Sequence, residues 1–468
     1  MSLGYPVPLA KSAGFMKKVT ARTLKSNKQR QLIVVNMGRR ASGLFEFIKP
    51  QQSWTFSRGT LDIGHKRRRL PKTNGLHISA TAGYLDADAW YYQVIKKQRG
   101  DGEVPAFITR ISGNIGALDI FNRRYGKTYI DLSRKRNVWY GSVRSKRVRG
   151  QMRLAFAPKK NDFRFNLARL VIPDPKPGAK DSHDPRNVPI LFLKAASVRY
   201  QNKEYGAVRI SGWPIQHGWR LSRFDINNKA MSLKSTGKWV WRGGQQWSEN
   251  NLTLTAHDLG NTLTLLGSPG FVKGGKGDLM ARLRWRGAPY EMHYPSMSGV
   301  VEFKARSGRF LQVKEGIGRM LGVLNITSIM RYLIFDFRPI FGKGFAFKKL
   351  DGNVSLVRGK AKTSIFIKGK SAHLDIRGDV NLAAETYNLV MGVTPQLAGS
   401  VAGAGALLWN PATAFWLWLS QKMFKRKIDK KTHTLYTIKG TWKDPIIKKI
   451  PKPKTAPTKN KTEEVEFE

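Results

Sequence analysis

Nothing constrains this 468-residue chain more than the period-two alternation running through residues 299–394. On one parity stand Phe345 and Phe347, Val354 and Leu356, Ile365 and Ile367, Leu374 and Ile376, Val380 and Leu382, then Tyr387, Leu389, Met391 and Val393. On the other stand Lys348, Asn353, Lys362, Ser364, His373, Asp375, Arg377 and Asn388. Successive side chains of a strand point to opposite faces, so this pattern specifies a sheet with one apolar and one polar face. Asp351-Gly352, Arg358-Gly359, Lys368-Gly369 and Gly378-Asp379 read as turns between short strands. The expectation is a long antiparallel meander whose apolar face is either ordinary core or an open groove.

Short strands also fill the upstream sequence. Residues 32–43 and 54–63 read as strands, strand-like pieces recur from 111 to 170, and from 195 to 286 they follow one another at all-β spacing. Residues 1–31 are polar, basic and weakly patterned, a candidate helix. Residues 87–97 are a short helix candidate with Asp86 as its N-cap. Five prolines between 172 and 189 specify a loop. A helix is expected at 316–329, with Ile317, Met320, Leu321 and Leu324 on one side. Residues 451–468 have the composition of a disordered tail.

No charged residue occurs between Val393 and Gln421. Leu407, Leu408 and Trp409 precede Asn410-Pro411; Phe415, Trp416 and Trp418 follow it; Lys422, Lys425 and Arg426 come next. Indoles beside cations match a membrane interface, with rings at headgroup level and charges towards lipid phosphates. Asn410-Pro411 breaks a helix into two arms, each too short to span. Three readings stand: a hairpin dipping into one leaflet, a buried helix pair plugging the end of the sheet, or a spanning helix.

Composition narrows the chemistry. Lys and Arg number 83 against 31 Asp and Glu, a formal charge of +52. That field suits nucleic acid or an anionic membrane surface, or is simply well-solvated charge. Basic clusters at 67–69, 134–136 and 144–149 could bind phosphates, yet no helix-turn-helix, zinc-finger or RNA-binding signature accompanies them. No specific nucleic-acid partner is expected. Cysteine is absent, which removes disulfides and thiolate metal sites. The eight histidines are scattered without metal-ligand spacing. Residues 270–277 nearly spell a phosphate loop, but Gly277 stands where a hydroxyl must hold magnesium, and a strand pattern follows. The segment reads as a glycine-rich turn. No nucleophile elbow or carboxylate pair is recognisable. No catalytic residue, metal or cofactor is expected, and no secretory leader or run of about 20 apolar residues is visible.

Particular residues then resemble a known family. They include residues 277–289 (Gly-Asp-Leu-Met-Ala-Arg-Leu-Arg-Trp-Arg-Gly-Ala-Pro), Ser307-Gly308-Arg309-Phe310-Leu311 and Gly318-Arg319-Met320-Leu321-Gly322. Further on come Phe335-Asp336-Phe337, residues 341–347 (Phe-Gly-Lys-Gly-Phe-Ala-Phe), Gly392-Val393-Thr394-Pro395-Gln396 and residues 436–442 (Tyr-Thr-Ile-Lys-Gly-Thr-Trp). In this order they resemble the C-terminal part of the YhdP-type, AsmA-like envelope proteins of Gram-negative bacteria. The likeness is dense over 262–446 and continues more weakly upstream.

The resemblance implies a mainly β protein, an elongated, curved antiparallel sheet forming a taco-like apolar groove, with short helices near 316–329 and 396–425. It implies non-enzymatic intermembrane phospholipid transport supporting the outer-membrane permeability barrier. Lipid would lie against Phe345, Phe347, Val354, Leu356, Ile365, Ile367, Leu374, Ile376, Leu389 and Met391. Membrane contact would fall to Leu407, Leu408, Trp409, Phe415, Trp416, Trp418, Lys422, Lys425 and Arg426. A charge at Ile367 or Ile376 is expected to block lipid without unfolding a face already open. The expected location is the periplasm facing the outer membrane, with phospholipids and that membrane as partners. The family's inner-membrane anchor is not in this chain, so an upstream-encoded anchored half is a further expected partner. The expected organisation is a basic segment at 1–31, a β-rich groove section at 32–171, the Pro-rich loop at 172–189 and a meander groove section at 190–394. An apolar helical hairpin with a basic flank at 395–431, a closing strand at 432–450 and the tail at 451–468 complete it. A periplasm-spanning scaffold and a non-specific nucleic-acid binder remain the alternatives.

Overall fold

The computed structural model describes residues 19–38, 41–64, 69–89, 105–157, 161–176, 184–311, 344–395, 434–442 and 444–451. The expected helix at 316–329, the segment 396–431 and the tail from 452 lie outside the described residues. Two compact units divide the chain, Met1–Gln246 and Trp247–Glu468. The fold is mainly β, and antiparallel pairing predominates.

The first unit runs through β1 (Val19–Ser26), β2 (Arg30–Met37), β3 (Ala41–Ile48), β4 (Thr55–Ile63), β5 (Gly75–Asp86), β6 (Ile108–Ile120) and β7 (Arg123–Lys135). It continues with β8 (Val138–Ser145), β9 (Val148–Ala155), β10 (Asp162–Ile172), β11 (Ile190–Tyr200), β12 (Lys203–Ile215), β13 (Gly218–Asn227) and β14 (Met231–Arg242). β1 corrects the helical reading of the N-terminal segment. Val19, Thr20 and Thr23 are β-branched, and the whole strand pairs antiparallel with β2 while staying exposed. Of the helix candidate at 87–97 only its start is described: residues 87–89 are helical and the Ala89 amide donates to Asp86 Oδ1 at 2.9 Å.

Two-residue turns join β6 to β7, and β11 to β12. Phe121 and Asn122, and likewise Gln201 and Asn202, all have positive φ, as the tight turn that matches strand twist demands. At three joints the meander gives way to parallel pairing: β4 with β5, β5 with β6, and β10 with β11. Each coincides with a long connection, because parallel neighbours must be reached by a chain that travels back along the strand. The Pro-rich loop is one of these. Its start is pinned to the β6–β7 turn: the Lys176 amide donates to the Asn122 carbonyl at 2.9 Å, and Arg123 donates to the Pro173 carbonyl.

The second unit holds β15 (Gln245–Ala256), β16 (Val272–Arg286), β17 (Ser298–Phe310), β18 (Phe345–Val357), β19 (Lys360–Gly369), β20 (Ala372–Asn381), β21 (Thr386–Pro395), β22 (Thr434–Thr441) and β23 (Pro445–Ile450). Each pairs antiparallel with the next. A short helix, α1 (Leu259–Leu265), sits between β15 and β16. Its N-cap is Asp258, whose Oδ1 accepts the Asn261 amide at 2.9 Å.

Two expected turns are strand interiors. Asp351-Gly352 lies within β18 and Gly378-Asp379 within β20. Both glycines have a packing reason. Gly352 faces Phe303 across the β17–β18 pair, and a Cβ there would run into the Phe303 ring. Gly378 has φ +139°, and its Cβ would meet the Asn388 carbonyl oxygen, with Leu389 Cα 2.9 Å away. The near-phosphate-loop is not simply a turn either: β16 begins at Val272, so most of it is strand, bent where Gly274 and Gly275 have positive φ.

Candidate functional site

Register in the second unit lines up apolar residues across strands. One row runs Leu254, Leu279, Phe303, Gly352, Ile365, Ile376, Met391 and Tyr436, one residue from each of β15 to β22. A parallel row runs Leu252, Ala281, Val301, Val354, Thr363, Gly378, Leu389, Ile438 and Ile447. All ten residues expected to line a groove fall on this one face. All ten are buried, with Val354, Ile367, Leu374, Ile376 and Met391 at 0% exposure and Phe345 the most open at 3%. Burying one such side chain contributes roughly 1.5–3 kcal/mol, so this face is cohesive core. That overturns one expectation. A charge at Ile367 or Ile376 would be buried without a partner, and would cost the fold itself. Beneath α1 a cavity of about 40 Å³ remains among Leu254, Leu263, Val272, Leu279, Phe303 and Phe347. The expected membrane-contact residues, from Leu407 to Arg426, lie outside the described residues.

The first unit presents its apolar face differently. A floor row of Leu167, Ala195, Val208, Ile226 and Leu233 crosses β10 to β14 and is buried. Two residues nearer the strand ends, Met152, Phe165, Leu193, Ile210 and Phe224 form a second row, all half-buried. Beyond it lie Leu154, Phe163 and Leu191, also half-buried. Exposure therefore rises from a closed floor towards one edge. The sequence reading missed these residues as candidates. Their signal was present: Phe163/Phe165/Leu167 and Leu191/Leu193/Ala195 alternate as regularly as the later strands.

Buried charges brace the same unit. Asp119 is 1% exposed and accepts from Arg124 (Nε to Oδ1, 3.0 Å), with Lys176 on its other oxygen. Burial pushes its carboxyl up, but hydrogen bonds from Arg124, Lys176 and Tyr84 outweigh burial and hold it at about 2. Glu46, 3% exposed, sits between Arg30 and Arg58; burial pulls its pKa up and the two guanidiniums carry it below the ordinary value. Among the described residues no group of three acidic or histidine side chains is placed to hold a metal ion. No helix among them is long and apolar enough to cross a membrane.

The family model described as "YhdP protein" matches residues 1–447. The chain belongs to the YhdP family. Within that family it is similar to the intermembrane phospholipid transporter YhdP of Escherichia coli (strain K12), 24% identical over 220 residues. That match covers 47% of this chain and 17% of the relative, so the YhdP-family chain aligns with about a sixth of the transporter's length. No solved structure matches it. Family membership agrees with the resemblance carried by residues 277–289 and 436–442.

Proposed function

We propose that this YhdP-family chain carries phospholipid between membranes of the envelope without converting it, acyl chains against the apolar face and headgroups in water. The observation that carries the reading is the graded face of the first unit. A finished core has no reason to leave Phe163, Phe165, Leu191 and Leu193 half in water, whereas acyl chains lying across the strands would cover them. Each side chain so covered contributes up to ~1.5–3 kcal/mol. Because each row repeats similar side chains at a strand spacing of about 4.8 Å, a hydrocarbon chain advances with little change in energy per step. In the second unit the rows that include Ile365, Ile376 and Met391 are buried, and lipid would enter there only by parting packed side chains.

The relative's name, an intermembrane phospholipid transporter, supports phospholipid as cargo. We place the chain in the periplasm facing the outer membrane, in support of that membrane's barrier. The tryptophans and cations between Leu407 and Arg426 serve as the membrane contact.

The test is lipid content. The purified chain should yield phospholipid by mass spectrometry, and Phe165→Asp or Leu193→Asp should lose most of it while keeping the wild-type β circular dichroism spectrum. These positions are half-exposed, so the added charge can reach water. Wild-type protein free of lipid would favour a structural scaffold instead.

A further inference from the structure

The polar face of the first unit carries a feature that lipid transport does not use. On β8 to β13 the opposite parity brings Tyr140, Arg153, Arg164, Phe192, Ser211 and Arg223 into one row across the sheet. The next row holds Gln151, Asn166, Lys194 and Arg209. These two rows surround a hollow of about 340 Å³ centred on the parallel β10–β11 joint. Five of its lining residues are cations (Arg153, Arg164, Lys194, Arg209 and Arg223), and none is acidic.

The cations fall into two kinds. Arg164 is fixed: it forms a fork with Asp162 (Nε to Oδ1 3.0 Å, Nη2 to Oδ2 3.0 Å) and its guanidinium carbon lies 4.5 Å from the Phe192 ring centre. Arg153 shares the same carboxylate at 3.3 Å, and Arg223 lies 3.5 Å from Asp225. Lys194 and Arg209 face each other directly across the β11–β12 pair, both exposed, with no ion-pair partner among the described residues. Two like charges directly opposite each other destabilise a strand pair. Asp225 stands opposite Arg209 on β13 but lies 3.5 Å from Arg223, and the two carboxylates Asp162 and Asp225 leave the five cations with a net positive charge.

We propose that this hollow binds a multiply charged phosphate anion taken up from solution, with Lys194 and Arg209 as its principal contacts and Arg164 as a pre-set guanidinium beside them. Guanidinium and ammonium groups converging on one concavity suit phosphate oxygens, and charge-assisted hydrogen bonds are the strong ones. The cations span several strands at about 4.8 Å each, a spread that fits two or more phosphate groups rather than one. The cationic side chains stand on the strand parity opposite the apolar rows, whose Met152, Phe165, Leu193 and Ile210 also border the hollow, so anion binding is tested separately from whether those rows carry lipid.

The probe is inorganic triphosphate, titrated into the purified 468-residue chain by calorimetry at low salt. Saturable binding at one site is expected, weakening steeply as salt rises. Lys194→Gln and Arg209→Gln should each weaken it about tenfold, and the pair about a hundredfold. Both side chains are exposed, and unchanged circular dichroism of the variants checks that the fold is intact. Arg144→Gln, on β8 outside the hollow, is the control for a general field effect and should change affinity less than about twofold. Equal losses at Arg144 and Arg209, no triphosphate binding at all, or binding only of phosphatidylglycerol vesicles would each overturn the proposal. The last of these would make the face a membrane contact.

Discussion

Asp119 is the residue on which the first unit's stability depends most visibly on pH. Its folded pKa of about 2 lies below the ordinary aspartate value of 3.8, so its contribution is complete above that ordinary value and is lost as pH falls towards 2. Asp119→Asn is expected to lower stability by about 2 kcal/mol at pH 7, and the gap to wild type should close between about pH 4 and pH 2. Denaturant melts across that range check it; a gap that persists at pH 2 would point to packing rather than charge. Gly378 offers a second residue-scale expectation. Any Cβ there meets backbone, which cannot move aside, so Gly378→Ala should cost about 2 kcal/mol by thermal melting. Neither residue's role was legible in the sequence. Asp119 finds Lys176 only through folding, and Gly378-Asp379 looks locally like a turn because glycine serves both tight turns and crowded strand interiors.

At the scale of elements, alternation was legible because strand period is local. The paired faces of β18 to β21 follow directly from Phe345/Phe347, Val354/Leu356, Ile365/Ile367, Ile376 and Leu389/Met391. Strand direction was not legible: an antiparallel and a parallel partner ask the same alternation of β10 and β11. The difference lies in the connection, and the five prolines of 172–189 supplied it without declaring it. The loop's attachment at Asn122, Pro173 and Lys176 predicts a local effect. In Asp119→Asn, amide exchange at Lys176 should quicken by at least tenfold while β11 and β12 keep their protection. Uniform loss of protection would show that the acid supports the whole unit. Burial was the least legible property. The ten expected groove residues and the missed Phe165 and Leu193 share one pattern in sequence, yet the former are closed and the latter half-open. What covers a face is decided by distant chain, which periodicity does not encode.

For the whole molecule, the proposal that the apolar face carries lipid is tested most directly by the two faces of each strand. Leu193 and Lys194 are adjacent in β11 and point to opposite faces. A photoreactive phenylalanine analogue placed at each position in turn, in cells and then irradiated, reports which face meets lipid. Phospholipid adducts, read by mass spectrometry of the purified chain, are expected at position 193 and absent at 194. Adducts at both positions alike, or at neither, would contradict a lipid-bearing apolar face.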